Sequence, residues 1–464
     1  MIDARIAGSI LEGKKHIHFI GIGGSGMYPL AQILHEKGFH LTGSDNNETE
    51  TLAAVRKMGV SVSPLGQRAE NIEGADLIVH TAAIMADNPE LIAARASGVP
   101  VLERSELLGL VSGFFDEAIC IAGTHGKTTT TSMLTQMFVE AERDISALIG
   151  GKLPAIGGSG LAGSSETFVC EACEFVDTFL HLSPDVAVIL NIDGDHLDYF
   201  KTVDNIIRSF TKFCDITSRT IIVNGDDENS MKAVRAATPG KEIITFGRSS
   251  GNDYYVKDIA HRGEGRIDFL LMHGDQAVTP LSIFVPGEHN VLNAAAAAAA
   301  ALHAGLTPEE VHRGLFHFRG AGRRFEKLAE VNGITVVDDY AHHPAELTAT
   351  LTAAKQMHWK RIWAVFQPFT FSRTAMLLDD FVKALSIADK TVLTAIMGSR
   401  EKNTIGIHSK DLGEKIDGAV WFETFEEVAT HVVEHAEPDD LVITLGCGDV
   451  YKVAHIIIDM LRNK

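Results

Sequence analysis

Lys127 ends a glycine turn, and no other residue in this chain offers more obvious chemistry. It stands in Gly123-Thr124-His125-Gly126-Lys127-Thr128-Thr129-Thr130, directly after the apolar run Ala118-Ile119-Cys120-Ile121-Ala122. A strand, a glycine turn and a helix start aim backbone N–H groups and a helix dipole at an anion. Lys127 adds a charge for phosphate and Thr128 a hydroxyl for Mg²⁺, the pair that nucleotide triphosphate chemistry uses. Ile121 stands where the common G-x-x-x-x-G-K-[ST] pattern has its first glycine. The competing reading is a structural turn with a helix-capping threonine.

About a hundred residues earlier, Gly21-Ile22-Gly23-Gly24-Ser25-Gly26 follows the apolar Ile17-His18-Phe19-Ile20. It is the same strand-to-helix turn without a cation, and tight turns also use glycine for steric reasons alone. Asp45 follows at the interval where an acidic residue commonly meets a ribose or base edge. The two loops together predict two phosphorylated ligands, one bound and one reacted. Acidic residues cluster at two strand ends: Glu171 and Glu174, then Asp193, Asp195, His196 and Asp198. In a nucleotide domain these ends face the phosphate loop, where oxygen ligands and an imidazole complete Mg²⁺ sites; the alternative is a solvated acidic turn. Further on, Arg323-Arg324-Phe325-Glu326, Asp338-Asp339-Tyr340-Ala341-His342-His343-Pro344 and Gln367 to Thr374 offer a cationic, hydrogen-bonding wall for a negatively charged transition state. The paired histidines lack a third zinc ligand at suitable spacing. Cys170-Glu171-Ala172-Cys173 is a formal C-x-x-C without a second pair, and the pattern favours small buried cysteines over a metal or redox site.

Elements must position these groups. Strands are expected at 16–20, 76–81 and 99–102, and helices at 28–37, 88–96 and 105–111. That βα alternation implies a parallel sheet with ligands at the carboxyl ends of its strands. A second unit carries the Lys127 loop, strands at 186–191 and 220–224, and a polar, β-rich insertion at 245–285. Gly287-Glu288-His289-Asn290-Val291-Leu292-Asn293 then leads into eight alanines, Ala294–Ala301, a strong helix former that permits close packing. From Arg319 the βα alternation resumes. The expectation is an α/β chain of three domains: 1–110, Rossmann-like; 111–318, a P-loop ATPase domain with a parallel or mixed sheet; and 319–464, again Rossmann-like.

Bulk properties narrow the function. Of 464 residues, 45% are hydrophobic and 22% charged, ample for sizeable cores. A formal charge of −20 argues against nonspecific binding to nucleic acid or anionic membranes. No stretch has transmembrane length, and the N-terminus lacks a signal-peptide apolar region. Five cysteines suit a reducing cytoplasm better than a disulfide framework.

Taken in order, GIGGSGM, GTHGKTTT, EACEFVDTFL, NIDGDHLDYF, GEHNVLNA, GAGRRFE, DDYAHHPAE, QPFTFSRT, SREKNTIGI and GCGDVYK give the chain a strong resemblance to the Mur ligases. The likeness runs from Ile17 to about Lys452. GIGGSGM and the QP…SRT segment resemble the alanine-adding branch more than the tripeptide-recycling one. The resemblance implies ATP at Gly123, Thr124, His125, Gly126, Lys127, Thr128 and Thr129, with Asn293 at adenine and Asp339 toward the ribose. It implies one Mg²⁺ on Thr128 and Glu171 and a second on His196. Arg324, Tyr340, His342 and Arg373 would line the reacting centre, and Gly23, Ser25, Gly26 and Asp45 would hold the UDP of UDP-N-acetylmuramate. L-Alanine would be the amine, and the enzyme would be a cytoplasmic monomer or homodimer. Three positions depart from the family pattern: Phe369 replaces the usual His, Phe371 the usual Tyr, and Tyr28 a small residue. A Rossmann dehydrogenase would use Gly21–Gly26 but leave the Lys127 loop unexplained. A nucleotide-regulated binding protein would need no reactive wall around Arg373.

Overall fold

Three sheets organise the described residues. The computed structural model describes residues 11–263, 265–399 and 401–464; the side chain of Asp198, and Arg400 of the SREKNTIGI segment, lie outside the described residues. The first sheet has five parallel strands, with His16–Ile20 at its centre between His40–Ser44 and Leu77–His80. The second has ten strands, and its middle is Thr220–Asn224, Val186–Ile189, Glu117–Ala122 and Thr167–Glu171, all parallel neighbours. The third has six, in the order Glu326–Val331, Ile334–Asp339, Asp440–Leu445, Arg361–Phe366, Lys390–Thr394 and Val420–Phe422; its first pair is antiparallel and the rest parallel.

Parallel strands covered on both faces read as unbroken apolar runs, which is why Ala118–Ala122 and Val186–Ile189 are buried throughout. The polar insertion forms the strands Glu242–Gly247, Tyr254–His261, Ile267–His273 and Gln276–Ile283, which extend the second sheet at one edge. The alanine block lies in the helix His289–His303, and all eight alanines are buried.

Contacts divide the chain into two compact units. One takes in the chain up to Asp258 with Phe269–Leu281 and Leu292–Phe318; the other takes in Ile259–Asp268, Ser282–Val291 and Arg319–Lys464. The first sheet and most of the second therefore share a unit, and one apolar cluster runs from Leu11 to Ala233. A glycine explains part of that closeness: a Cβ at Gly109, in the helix Arg104–Ser112, would strike the His181 carbonyl.

Candidate active site

The Lys127 loop is a strand-to-helix turn with a left-handed glycine at its end. Glu117–Ala122 ends at Gly123, and Gly126, at φ +87°, caps the helix Lys127–Glu140. That left-handed conformation suits glycine, and any Cβ there would run into the Asn293 carboxamide. Asn293, predicted at adenine, is thus seated against the loop from 167 residues away, the interval from Gly126 to Asn293. Asn191 holds the other side. Its carbonyl accepts from Thr124 N–H at 3.0 Å, its side-chain oxygen accepts from His125 N–H at 2.8 Å, and its amide donates to the His125 carbonyl at 3.0 Å. The first-turn N–H groups of the helix have no intrahelical acceptor, which suits them to an anion.

Lys127 donates to the Gly123 and Thr124 carbonyls at 2.6 and 3.1 Å and pairs with Glu174 at 2.9 Å. Burial works against its charge, but the Glu174 carboxylate, with smaller help from Cys173 and Glu171, carries its pKa above the ordinary lysine value. Glu174, grouped by sequence with the oxygen ligands for metal, is the buried counter-ion of the loop lysine. Thr128 donates to Glu171 at 2.9 Å, and the same carboxylate oxygen accepts from Gly150 N–H at 2.9 Å. Two adjacent hard oxygens fit Mg²⁺, which takes few protein ligands and completes its shell with phosphate and water. Among the described residues, no group of three or more His, Cys, Asp or Glu side chains could hold a metal ion.

His196 is held differently. Its backbone is left-handed, its imidazole lies 3.8 Å from Asp195, and its ring packs against Phe175 with centroids 4.6 Å apart. No hydrogen bond or ion pair joins it to Glu171 among the described residues. Phe175 is presented by a strained turn: Val176 and Asp177 both have positive φ, and Asp177 accepts from Tyr199 at 2.8 Å and also from Ser209. Asp193 reaches the loop through His125, 3.8 Å away.

The first loop relies on its neighbour strand. Gly21 and Ile22 donate to the Ser44 carbonyl at 2.8 and 3.0 Å, and Gly23 donates to the Asp45 carboxylate at 2.9 Å. Asp45, expected at a ribose, thus anchors the loop. Among the described residues, the Ser25 and Gly26 N–H groups have no internal acceptor. Arg104 lies against Gly26, with its Nε 3.4 Å from where a Cβ would stand. The motif reading missed this cation; an arginine opening the helix after the last strand was the available sign. Tyr28 packs its ring on the core.

In the second unit, Arg324, Tyr340 and His342 do come together. The Arg324 guanidinium is 5.2 Å from the Tyr340 ring centre, and the His342 ring meets Tyr340 edge-on at 5.6 Å. Arg323 is a brace, bonded to Asp338 at 2.8 Å and to the Gly446 carbonyl at 2.6 Å. Asp339 is buried and accepts from Phe325 and Ala341 N–H at 2.8 and 2.7 Å. Burial raises its pKa to about 6, against the pull of Arg324 and those N–H groups. Burial lifts the Cys447 thiol to about 12 against the pull of Arg373, and burial, with a smaller contribution from Cys447, raises Tyr340 above its ordinary value. Cys447 is a second residue the motif reading passed over. Phe369 forms a backbone bridge to Met397, and a Cβ at Gly398 would strike the Phe371 ring.

Cys120 and Cys170 are buried with their sulfurs 3.4 Å apart, whereas Cys173 is exposed past its strand end. The expectation of small buried cysteines therefore fails at Cys173. No described helix is long and apolar enough to cross a membrane.

A phosphate loop with a paired lysine, a Thr–Glu oxygen pair and a separate arginine-rich unit define an enzyme class that three family models name in succession. Residues 16–115 match the Mur ligase family catalytic domain, 121–301 the Mur ligase middle domain, and 323–448 the Mur ligase glutamate ligase domain. The chain belongs to the Mur ligase family. It is 42% identical over 459 residues to the UDP-N-acetylmuramate–L-alanine ligase of Acetivibrio thermocellus, covering 97% of each chain. To that of Agathobacter rectalis it is 44% identical over 455 residues, covering 97% of this chain and 98% of the relative. The crystal structure of a UDP-N-acetylmuramate–alanine ligase from Thermotoga maritima superposes with TM-score 0.81 at 27% identity, covering 97% of this chain and 99% of that one. A murein peptide ligase from Psychrobacter arcticus superposes at 0.72 with 25% identity, covering 97% and 99%.

Proposed function

We propose that this chain joins L-alanine to the carboxylate of UDP-N-acetylmuramate with cleavage of ATP, a step in making peptidoglycan precursors. The supporting observation is the coincidence of full-length likeness to alanine ligases with the Lys127–Thr128–Glu171 geometry. At neutral pH a carboxylate and an ammonium form a salt rather than an amide. A carboxylate oxygen therefore attacks the γ-phosphorus and ADP leaves. The neutral amine of alanine attacks the resulting acyl phosphate, and inorganic phosphate departs from the tetrahedral intermediate. Lys127 offsets charge gathering on the transferring phosphoryl group. Thr128 and Glu171 would hold Mg²⁺, and His196 a second ion; the metal supplies Lewis-acid neutralisation of phosphoryl and carboxylate oxygens. Arg324, Tyr340, His342 and Arg373 form the wall for the tetrahedral centre, Asn293 and Asp339 serve the nucleoside, and Gly23, Ser25, Gly26 and Asp45 serve the UDP. We assign these roles to domains spanning 1–110, 111–318 and 319–464, in a cytoplasmic enzyme.

The test is phosphate release from ATP, which should require UDP-N-acetylmuramate and L-alanine together. The fold likeness to a murein peptide ligase raises a second reading, in which the amine is the tripeptide L-alanyl-γ-D-glutamyl-meso-diaminopimelate. Turnover with that tripeptide and none with alanine would replace the first reading by the second.

A further inference from the structure

Under the first glycine loop lies a buried histidine–carboxylate contact that the reaction does not use. Glu90 and His18 are fully buried, and the imidazole Nε2 lies 2.7 Å from the carboxylate. Both Glu90 oxygens also accept from the Ser44 hydroxyl, at 2.8 Å each, and one accepts from Asn71 at 3.1 Å. His18 Nδ1 is 2.7 Å from the Thr42 hydroxyl. Glu90 is placed by its own helix: Asn88 caps Pro89–Ala96 by accepting from Glu90 and Leu91 N–H, each at 3.0 Å. A carboxylate in a first helical turn is favoured by the dipole.

A buried polar cluster is weak as a stabiliser, because the desolvation of its groups consumes most of what their hydrogen bonds return. Apolar groups would fill these positions in a short sheet at less cost. What Glu90 supplies is a fixed Ser44. The register sets Ile20 opposite Ser44, so the chain enters the glycine loop beside it. The Ser44 carbonyl and the Asp45 carboxylate then hold the N–H groups of Gly21, Ile22 and Gly23. Three successive loop amides hang from a strand end whose last residue, Ser44, is clamped by Glu90.

We infer that Glu90, acting through Ser44, is a positioning residue for the UDP-sugar, holding the loop so that the Ser25 and Gly26 amides meet the diphosphate. The inference rests on the assignment of that loop to the UDP-sugar. The test measures dissociation constants of UDP, UDP-N-acetylmuramate and a non-hydrolysable ATP analogue, together with kcat and KM, for wild type, Glu90→Gln and Ser44→Ala. Glu90→Gln should weaken UDP-N-acetylmuramate about tenfold or more and raise its KM alike. ATP-analogue binding and kcat at saturating sugar nucleotide should stay within about twofold. Ser44→Ala, which removes only the hydroxyl, should show the same selective loss severalfold, and it decides the matter should Glu90→Gln fail to fold. Folded variants that bind UDP-N-acetylmuramate as wild type does, or that lose both ligands equally, overturn the inference. A wild type that binds neither UDP nor UDP-N-acetylmuramate overturns the loop assignment instead.

Discussion

The two glycine loops solve one geometric problem with opposite kinds of support. The Gly21–Gly26 loop is tied to a neighbouring strand, through the Ser44 carbonyl and the Asp45 carboxylate, and has no cation in its own turn. The Gly123–Thr129 loop is tied partly by its own lysine, which bonds the Gly123 and Thr124 carbonyls and Glu174. A phosphate entering the first loop meets free amides in a fixed frame. One entering the second must compete with internal partners for the lysine. The first arrangement suits a ligand that is held, the second a group that is transferred.

The largest expected effect breaks the second loop. Lys127→Ala should cut ligation on the order of a thousandfold or more by removing phosphoryl stabilisation. It should also cost stability, about 3–5 kcal/mol, because Glu174 is left buried and unpaired. Adding Glu174→Gln should restore stability but not turnover. Phosphate-release assays and urea unfolding on the single and double variants separate the two losses. A stable, active single variant would remove the contrast between the loops.

A smaller effect sharpens the point about buried carboxylates. Glu174 has an ammonium at 2.9 Å, whereas Asp339 has two N–H donors at 2.8 and 2.7 Å and a folded-state pKa of about 6. A raised carboxylate pKa means stability fully present below the ordinary 3.8 and lost as pH climbs through about 6. The interval corresponds to about 3 kcal/mol. Wild type should therefore lose stability relative to Asp339→Asn between pH 4 and 7, and unfolding at several pH values reads that difference directly. A flat difference would show that Asp339 titrates normally.

Smaller still, Asp45→Ala should release the Gly23 amide at a cost of about 1–2 kcal/mol in sugar-nucleotide binding, roughly tenfold in affinity. ATP-analogue affinity should not move. Equal weakening of both ligands would mean the first loop is not independently framed.

Both strand–turn–helix units were legible because the motifs are local: apolar run, glycine, helix start. The neighbours that complete them were less so. Glu174 was visible as an acidic residue near the second loop, but its partnership with Lys127 depends on the strand Thr167–Glu171 lying beside Glu117–Ala122. Asn293 entered only through family likeness, since no spacing rule joins it to Gly126. Arg104 and Cys447 escaped because each reaches its neighbours across a sheet crossover, where sequence distance carries no information.

The alanine helix carries a consequence for sequence drift. Ala294–Ala301 are buried on every side, so the stretch can be neither lengthened nor cheaply shortened. Valine would overpack by about 1–3 kcal/mol, glycine would cost about 1 kcal/mol in helix propensity, and serine would bring a hydroxyl in need of a partner. Single-base changes of an alanine codon yield only such residues or worse: proline, threonine, aspartate or glutamate. The helix His289–His303, which sets Asn293 against the Gly126 turn, is thus written in a residue with almost no mutational neighbours it can accept, and its composition should change more slowly than its chemistry alone would require.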